Sequence, residues 1–184
     1  MGKSIQLIST SGPESTWISV VGQSSAVKFI SGEFSNTILE GFTLRNGTGT
    51  VISGRSYGGG ILIQNSTPTI RNCIIENNQA VEGGGIHIEG PTFGEVILES
   101  VILQNNSASD LGGGLSLASQ AEINMSECSL ISNTASVVSG AISCDQSTLI
   151  VSDSLIANNS SNLAVGAVWV HCDSEAVITD SVIS

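Results

Sequence analysis

The sequence predicts an all-β solenoid forming a single domain over residues 1–184, and three observations predict it. A glycine-rich word recurs as Gly58-Gly59-Gly60-Ile61, Gly83-Gly84-Gly85-Ile86 and Gly112-Gly113-Gly114-Leu115, then decays into Ser139-Gly140-Ala141-Ile142 and Val165-Gly166-Ala167-Val168. Its copies start 25, 29, 27 and 26 residues apart, a repeat length that, outside helical repeats, marks a solenoid. A second word ending in asparagine runs in phase with it: Thr43-Leu44-Arg45-Asn46, Ile74-Ile75-Glu76-Asn77, Ile102-Leu103-Gln104-Asn105, Leu130-Ile131-Ser132-Asn133 and Leu155-Ile156-Ala157-Asn158. The third observation is composition. The chain is 40% hydrophobic but only 4% aromatic and 11% charged, and Gly, Ser, Asn, Ile and Val dominate it, a vocabulary of short strands joined by small-residue turns.

Each coil then reads as two well-defined strands and one weaker one. The first strand follows the glycines, where Ile61 and Ile63, Ile86 and Ile88, Leu115 and Leu117, Ile142 and Cys144, and Val168 and Val170 alternate and should point inward. The last strand precedes the asparagine, with Phe42 and Leu44, Cys73 and Ile75, Val101 and Leu103, Ser129 and Ile131, and Ser154 and Ile156 inward. Between them lie short apolar pieces at Ile70, 96–98, 123–125, 149–151 and 177–178. Upstream, residues 5–8, 17–21 and 27–30 supply strands of one or two earlier coils, with turns at Ser11-Gly12-Pro13 and Ser31-Gly32-Glu33. Residues 90–95 form a small protruding loop that accounts for the longest spacing. Parallel pairing of coils of this size describes a right-handed parallel β-helix of about seven coils, about 34 Å long at strand spacing.

The glycines allow positive φ and close approach of successive coils. They are not a phosphate loop, since no GxxxxGK[ST] pattern and no helix follows them. Stacking sets Asn46, Asn77, Asn105, Asn133 and Asn158 in one column, where side-chain amides hydrogen-bond from coil to coil. Sequons occur at Asn46, Asn65, Asn105, Asn124, Asn158 and Asn159. Asn46, Asn105 and Asn158, as inward ladder residues, are unable to carry glycan.

Charge and cysteine usage narrow the partners. A net charge of −11, with only Lys3, Lys28, Arg45, Arg55 and Arg71 as fixed cations, argues against nucleic acid and anionic membrane surfaces, which need clustered Lys and Arg. No apolar run approaches the roughly 20 residues of a membrane span. Cys73 and Cys128 lie two coils apart, beyond the disulfide reach of about 7 Å. Cys144 aligns with Val170, two residues short of Cys172, so most of the cysteines read as core fillers. Met1-Gly2-Lys3-Ser4 leads straight into strand-like sequence without a signal-peptide pattern, and neither end shows a cap. The chain therefore reads as a fragment of a longer solenoid or a unit stacking end to end.

The paired words Gly-Gly-(Ala/Ile/Leu) and (apolar)-x-x-Asn resemble the repeats of polymorphic outer-membrane proteins. More broadly the chain is similar to the pectate-lyase-like superfamily of right-handed β-helices. The stretch from Gly2-Lys3-Ser4-Ile5 to Leu39-Glu40-Gly41-Phe42-Thr43 resembles the start of secreted bacterial β-helix repeat proteins. In polysaccharide lyases of that superfamily, substrate lies across the outer side of the strand after the glycines.

Here the outward positions form two columns, one of Leu62, His87, Ser116, Ser143 and Trp169, the other of Gln64, Glu89, Ala118, Asp145 and His171. Trp169 offers a stacking plane for a sugar. Asp145 and His171 fall on adjacent coils, and Glu89 and Asp145 lie two coils apart, near the carboxylate separation of inverting glycosidases. The candidate ligand-binding residues are thus Trp169, His171, Asp145, His87 and Glu89, and Asp145, His171, Glu89 and His87 are the candidate acid–base groups. The lyase resemblance implies calcium ligands and an Arg or Lys base on this face, but none of the five cations falls in these columns. No aspartate cluster of the polygalacturonase kind and no calcium-binding nonapeptide repeat is present. No Cys/His spacing signals zinc, so no metal or cofactor is expected. The mixed columns lack the regular threonines of an ice-binding face.

The sequence thus predicts a secreted or cell-surface β-helix module for binding or structure, contacting a polysaccharide or another protein. The alternatives are a carbohydrate-active enzyme and a self-assembling end-to-end filament unit.

Overall fold

The computed structural model describes residues 4–90 and 93–184. Among them there is no helix; every regular element is a strand, and the strands stack into four walls of a parallel solenoid. One coil shows the plan. Ile61–Gln64 lies in wall 1, Thr69–Arg71 in wall 2, Ile74–Glu76 in wall 3 and Gln79–Glu82 in wall 4, and the chain then re-enters wall 1 at Ile86–Glu89. Walls 2 and 3 hold seven strands each and walls 1 and 4 six each. From Gln6–Ile8 to Glu175–Thr179, the first and seventh strands of wall 2, the chain makes about six turns rather than the seven expected. The first coil contributes no strand to wall 4. Seven rungs separated by six steps of about 4.8 Å span about 29 Å.

The middle pieces, expected to be the weakest strands, form a complete wall. Val96–Glu99, Glu122–Ser126, Thr148–Ser152 and Glu175–Thr179 pair in register through all their residues from Val96 onward. Inside, aliphatic columns fill the bore. Ile61, Ile86, Leu115 and Ile142 stack on one another, as do Ile63, Ile88, Leu117 and Cys144, none more than 1% exposed. Rung-to-rung stacking of like side chains keeps each one in contact with aliphatic neighbours above and below, so small shape changes are felt throughout. In the end rungs the corresponding side chains, among them Leu7, Val170 and Ile183, have a neighbouring rung on one side only and are exposed.

Corners turn on single residues with left-handed backbone. Between walls 2 and 3 these are Gly41, Asn72, Ser100, Glu127, Asp153 and Asp180, with φ from 48° to 79°. Between walls 3 and 4 they are Asn46, Asn77, Asn105, Ser132 and Asn158, with φ from 54° to 62°. This second set corrects the expected asparagine column. Asn46, Asn77, Asn105 and Asn158 are exposed turn residues, not inward ones. Three sequons taken to be inaccessible, at Asn46, Asn105 and Asn158, therefore lie on the surface.

The amide ladder stands one residue later, on Asn78, Asn106, Asn133 and Asn159. In each step, one Oδ1 accepts from both the backbone N–H and the side-chain amide of the rung before. Asn106 Oδ1 takes Asn78 N at 3.1 Å and Asn78 Nδ2 at 3.0 Å, Asn133 Oδ1 takes Asn106 at 3.0 Å from both groups, and Asn159 Oδ1 takes Asn133 at 2.8 and 3.0 Å. Each Nδ2 also donates to a wall 3 carbonyl: Asn78 to Leu44, Asn106 to Ile75, Asn133 to Leu103 and Asn159 to Leu130. Only Asn133 of the expected column belongs here. The pairing Leu103↔Leu130 sets the fourth coil one residue off the expected register, so Cys128 and Leu130 point inward and Ser129 and Ile131 do not. A slip of one residue exchanges the two faces of a strand.

The loop expected at 90–95 brackets Pro91 and Thr92, which lie outside the described residues, as do Gly2 and Lys3. Its Phe93 is 85% exposed. One further element has no counterpart in the repeat. Thr50–Ile52 and Arg55–Tyr57 form an antiparallel hairpin at the edge of wall 4, closed by Ser53 and Gly54 with φ of 50° and 83°. Two successive positive φ values match the right-handed twist of a hairpin.

Candidate functional site

Two faces of the solenoid carry candidate site residues. The first is the outer side of wall 1, where the sequence placed its candidates. There the chain entering each glycine corner folds back over the strand that follows. A Cβ at Gly83 would lie 2.2 Å from Ile86 O and 2.9 Å from His87 Cα. The first outward column is covered as a result: Leu62, His87, Ser116 and Ser143 are all buried. His87, expected on the surface, packs under the Tyr57 ring at a centroid distance of 4.8 Å, and its Nδ1 is buried without a hydrogen-bond partner. Burial lowers its pKa to about 4, because a charged imidazole there would lose its water. His87 is thus a neutral buried ring, removed from the surface groups proposed for acid–base work.

The second column stays at the surface. Glu89 Oε2 accepts from Gln64 Nε2 at 2.6 Å. Asp145 and His171 pair in register on adjacent rungs, with Nδ1 and Oδ1 3.3 Å apart. The Trp169 ring lies 5.2 Å from that of His171, tilted by 59°. Glu89 stands two rungs from Asp145, with Ala118 between them. Asp145, His171 and Trp169 thus form one group, while Glu89 sits apart with Gln64.

Four cysteines are free. Burial pushes the Cys128 thiol up to about 11 and also raises those of Cys73 and Cys144, which keeps them protonated and unreactive. Cys172 alone is exposed. It joins Asp145 and His171 in a cluster whose three donor atoms lie within 4.8 Å of one another. No spacing rule finds this trio, because Asp145 precedes the other two by a full turn.

The second face was not foreseen. Along wall 4 runs an open groove of about 690 Å³. Its rungs present Gln79, Ser107, Thr134 and Ser160, paired in register from coil to coil. Ala80, Ala108 and Ala135 stand one residue further on, and no charged or aromatic side chain lines the groove. A smaller recess of about 420 Å³ adjoins it, lined by Asn46, Asn77 and Asn105 together with Gln79 and Ser107. In a chain of net charge −11, this strip of amides and hydroxyls is set apart from the carboxylates. Two carboxylates further along the same strands, Glu82 and Asp110, are tied to Arg55 at 2.7 and 2.5 Å. Wall 4 escaped the sequence reading because its strands have no apolar alternation. The available signal was position: each of the four polar groove residues directly follows a ladder asparagine.

No curated protein and no solved structure matches the chain significantly. Residues 16–183 match the family described as a right handed beta helix region. That match covers most of the chain and agrees with parallel rungs of four short strands, so the chain belongs to the right-handed β-helix family.

Proposed function

We propose that the chain is the binding module of a secreted or cell-surface protein, and that it takes an uncharged glycan along wall 4. The observation that carries this reading is the uncharged groove with its repeated hydrogen-bonding rungs. Parallel stacking repeats a donor–acceptor set about every 4.8 Å. A polymer of hydroxyl-bearing units laid along the axis meets the same partners at each step. Amides and hydroxyls both donate and accept, as sugar hydroxyls do. The resemblance of the repeats to the pectate-lyase-like superfamily and to secreted β-helix proteins supports a carbohydrate ligand and the location, and the uncharged lining of the groove supports an uncharged one.

The test is a polysaccharide and glycan array probed with the purified chain, with Thr134→Arg, which fills the middle of the groove, and with Trp169→Ala on wall 1. Binding lost in Thr134→Arg and kept in Trp169→Ala supports the groove. The reverse pattern moves the ligand to wall 1, and no binding by the unmodified chain refutes the glycan reading.

A second reading, a carbohydrate-active enzyme, is favoured by one observation, the Asp145–His171 contact beside Trp169. It requires that the chain cleave a polysaccharide and that Asp145→Ala abolish the cleavage. Turnover unchanged by that substitution removes Asp145 from any catalytic role.

A further inference from the structure

We propose that Asp145, His171 and Cys172 bind a zinc-like divalent metal ion on the outside of wall 1, a site independent of the groove. The three residues bring a carboxylate, an imidazole and a thiol together from two rungs. The donors lie within 4.8 Å of one another, with His171 Nδ1 3.3 Å from Asp145 Oδ1 and Nε2 3.4 Å from Cys172 Sγ. Each contact taken singly is near the corresponding edge of a tetrahedral zinc with ordinary bond lengths, about 3.4 Å for N···O and about 3.6 Å for N···S. Only one imidazole nitrogen faces a metal at a time, and rotation of the exposed ring selects it.

The backbone holds the site in place. Cys172 and Asp173 occupy a left-handed corner with φ of 46° and 55°. Gln146 N donates to Cys172 O at 3.0 Å, which ties the corner to the rung before. Ser174 Oγ donates to Cys144 O at 3.2 Å and also to His171 O. Among the described residues the constellation occurs once. On earlier rungs the same column carries Gln64, Glu89 and Ala118, and Gln146 takes the corner of the rung before.

Thiolate and imidazole ligands favour zinc or cobalt over calcium or magnesium. With three protein ligands, the fourth tetrahedral position is left to water or an outside ligand. On binding, the metal replaces the proton of the Cys172 thiol, so one proton leaves for each ion bound and affinity falls as pH falls.

The experiment is titration of the chelator-treated, reduced chain with Co²⁺, followed by displacement with Zn²⁺. The expected result is one equivalent bound, a thiolate-to-cobalt charge-transfer band, and quenching of Trp169 emission. Cys172→Ser removes the band, and His171→Gln and Asp145→Asn each weaken binding by at least about tenfold. Trp169→Phe keeps the band and loses the quenching, since the remaining Trp17 lies in the first rung of wall 3. All four positions are at least partly solvent-accessible, and an unchanged thermal melt confirms that each variant is folded. The three other thiols are buried, so a band in the folded protein reports Cys172. No band in the unmodified chain, or a band that survives Cys172→Ser, overturns the site.

Discussion

The asparagine corner and the glycine corner of each coil solve one problem by opposite means. Both bring successive rungs close enough for backbone groups to bond along the axis. At the asparagine corner a side chain completes the bonding, as each ladder amide takes over the role of a missing backbone partner. At the glycine corner the backbone completes it alone, and any side chain would be in the way. The middle glycine shows this best. It is retained in all five copies of the word, as Gly59, Gly84, Gly113, Gly140 and Gly166, while its neighbours drift to Ser139, Val165, Ala141 and Ala167. A Cβ at Gly84 would lie 2.3 Å from Ser107 O and 2.5 Å from Gly113 O. Both atoms are main chain of the next rung, so nothing can yield without prising the rungs apart. One corner is specified by chemistry and the other by the lack of volume.

The sharpest way to break that contrast is Gly84→Ala. It is expected to cost about 4 kcal/mol or more, in the range reserved for forced backbone displacement. Urea unfolding followed by circular dichroism checks it, and a cost below about 1 kcal/mol would mean that the glycine corner is looser than its contacts imply.

At the other corner, Asn106→Ala leaves Asn78 N without its acceptor, strips Asn78 Nδ2 of one of its two acceptors and removes the amide donor to the Ile75 carbonyl, all in a buried position. Buried unsatisfied groups cost about 1–3 kcal/mol each, so a net loss of about 3–4 kcal/mol is expected by the same measurement.

His87 tests the covered shelf beside the glycine corner. Its pKa is about 4 in the folded chain against 6.5 unfolded. The unfolded chain therefore binds the extra proton first as pH falls. Stability is unaffected above about pH 6.5, declines between 6.5 and 4, and levels off below, a loss of about 3 kcal/mol. His87→Leu copies the residue that Leu62 places in the same column one rung earlier, and it should remove that part of the acid sensitivity. Unfolding curves of both proteins at pH 7.5 and pH 4 give the difference, and parallel losses would show that His87 is hydrated in solution.

The smallest effect separates two adjacent asparagines. Asn105→Ala, at an exposed turn with φ of 54°, loses only the tolerance of asparagine for left-handed backbone. That is about 1 kcal/mol, well below the cost at Asn106. Asn105→Gly should be near neutral. Equal costs at 105 and 106 would collapse the distinction between turn and ladder.

The same contrast explains what could be read in advance. The glycine word is unambiguous because no other residue fits its middle place, so the fold class, the inward columns of wall 1 and the pairing of Asp145 with His171 all follow from aligning its copies. Asparagine is ambiguous because it serves both as a left-handed turn residue and as a ladder amide. Asn77-Asn78, Asn105-Asn106 and Asn158-Asn159 offer one of each. Where Ser132 replaces the first, Asn133 falls into the alignment one place late and carries Ser129 and Ile131 to the wrong face with it. His87 was placed on the correct side of its strand, but periodicity along one strand says nothing about the chain that folds over it. Wall 4 and its groove were hidden for a different reason: polar strands leave no hydrophobic period, and their register is inherited from the ladder beside them.

The partners of the amide ladder are 28, 27 and 26 residues apart. The corners, and in wall 4 a bulge between Ala80 and Glu82, therefore absorb a residue gained or lost. Duplicating or deleting one whole turn within the regular section creates no new kind of contact, since each interior rung meets its neighbours through the same pairings. Rod length is thus a quantity that gene duplication can adjust in steps, without redesign of the cross-section.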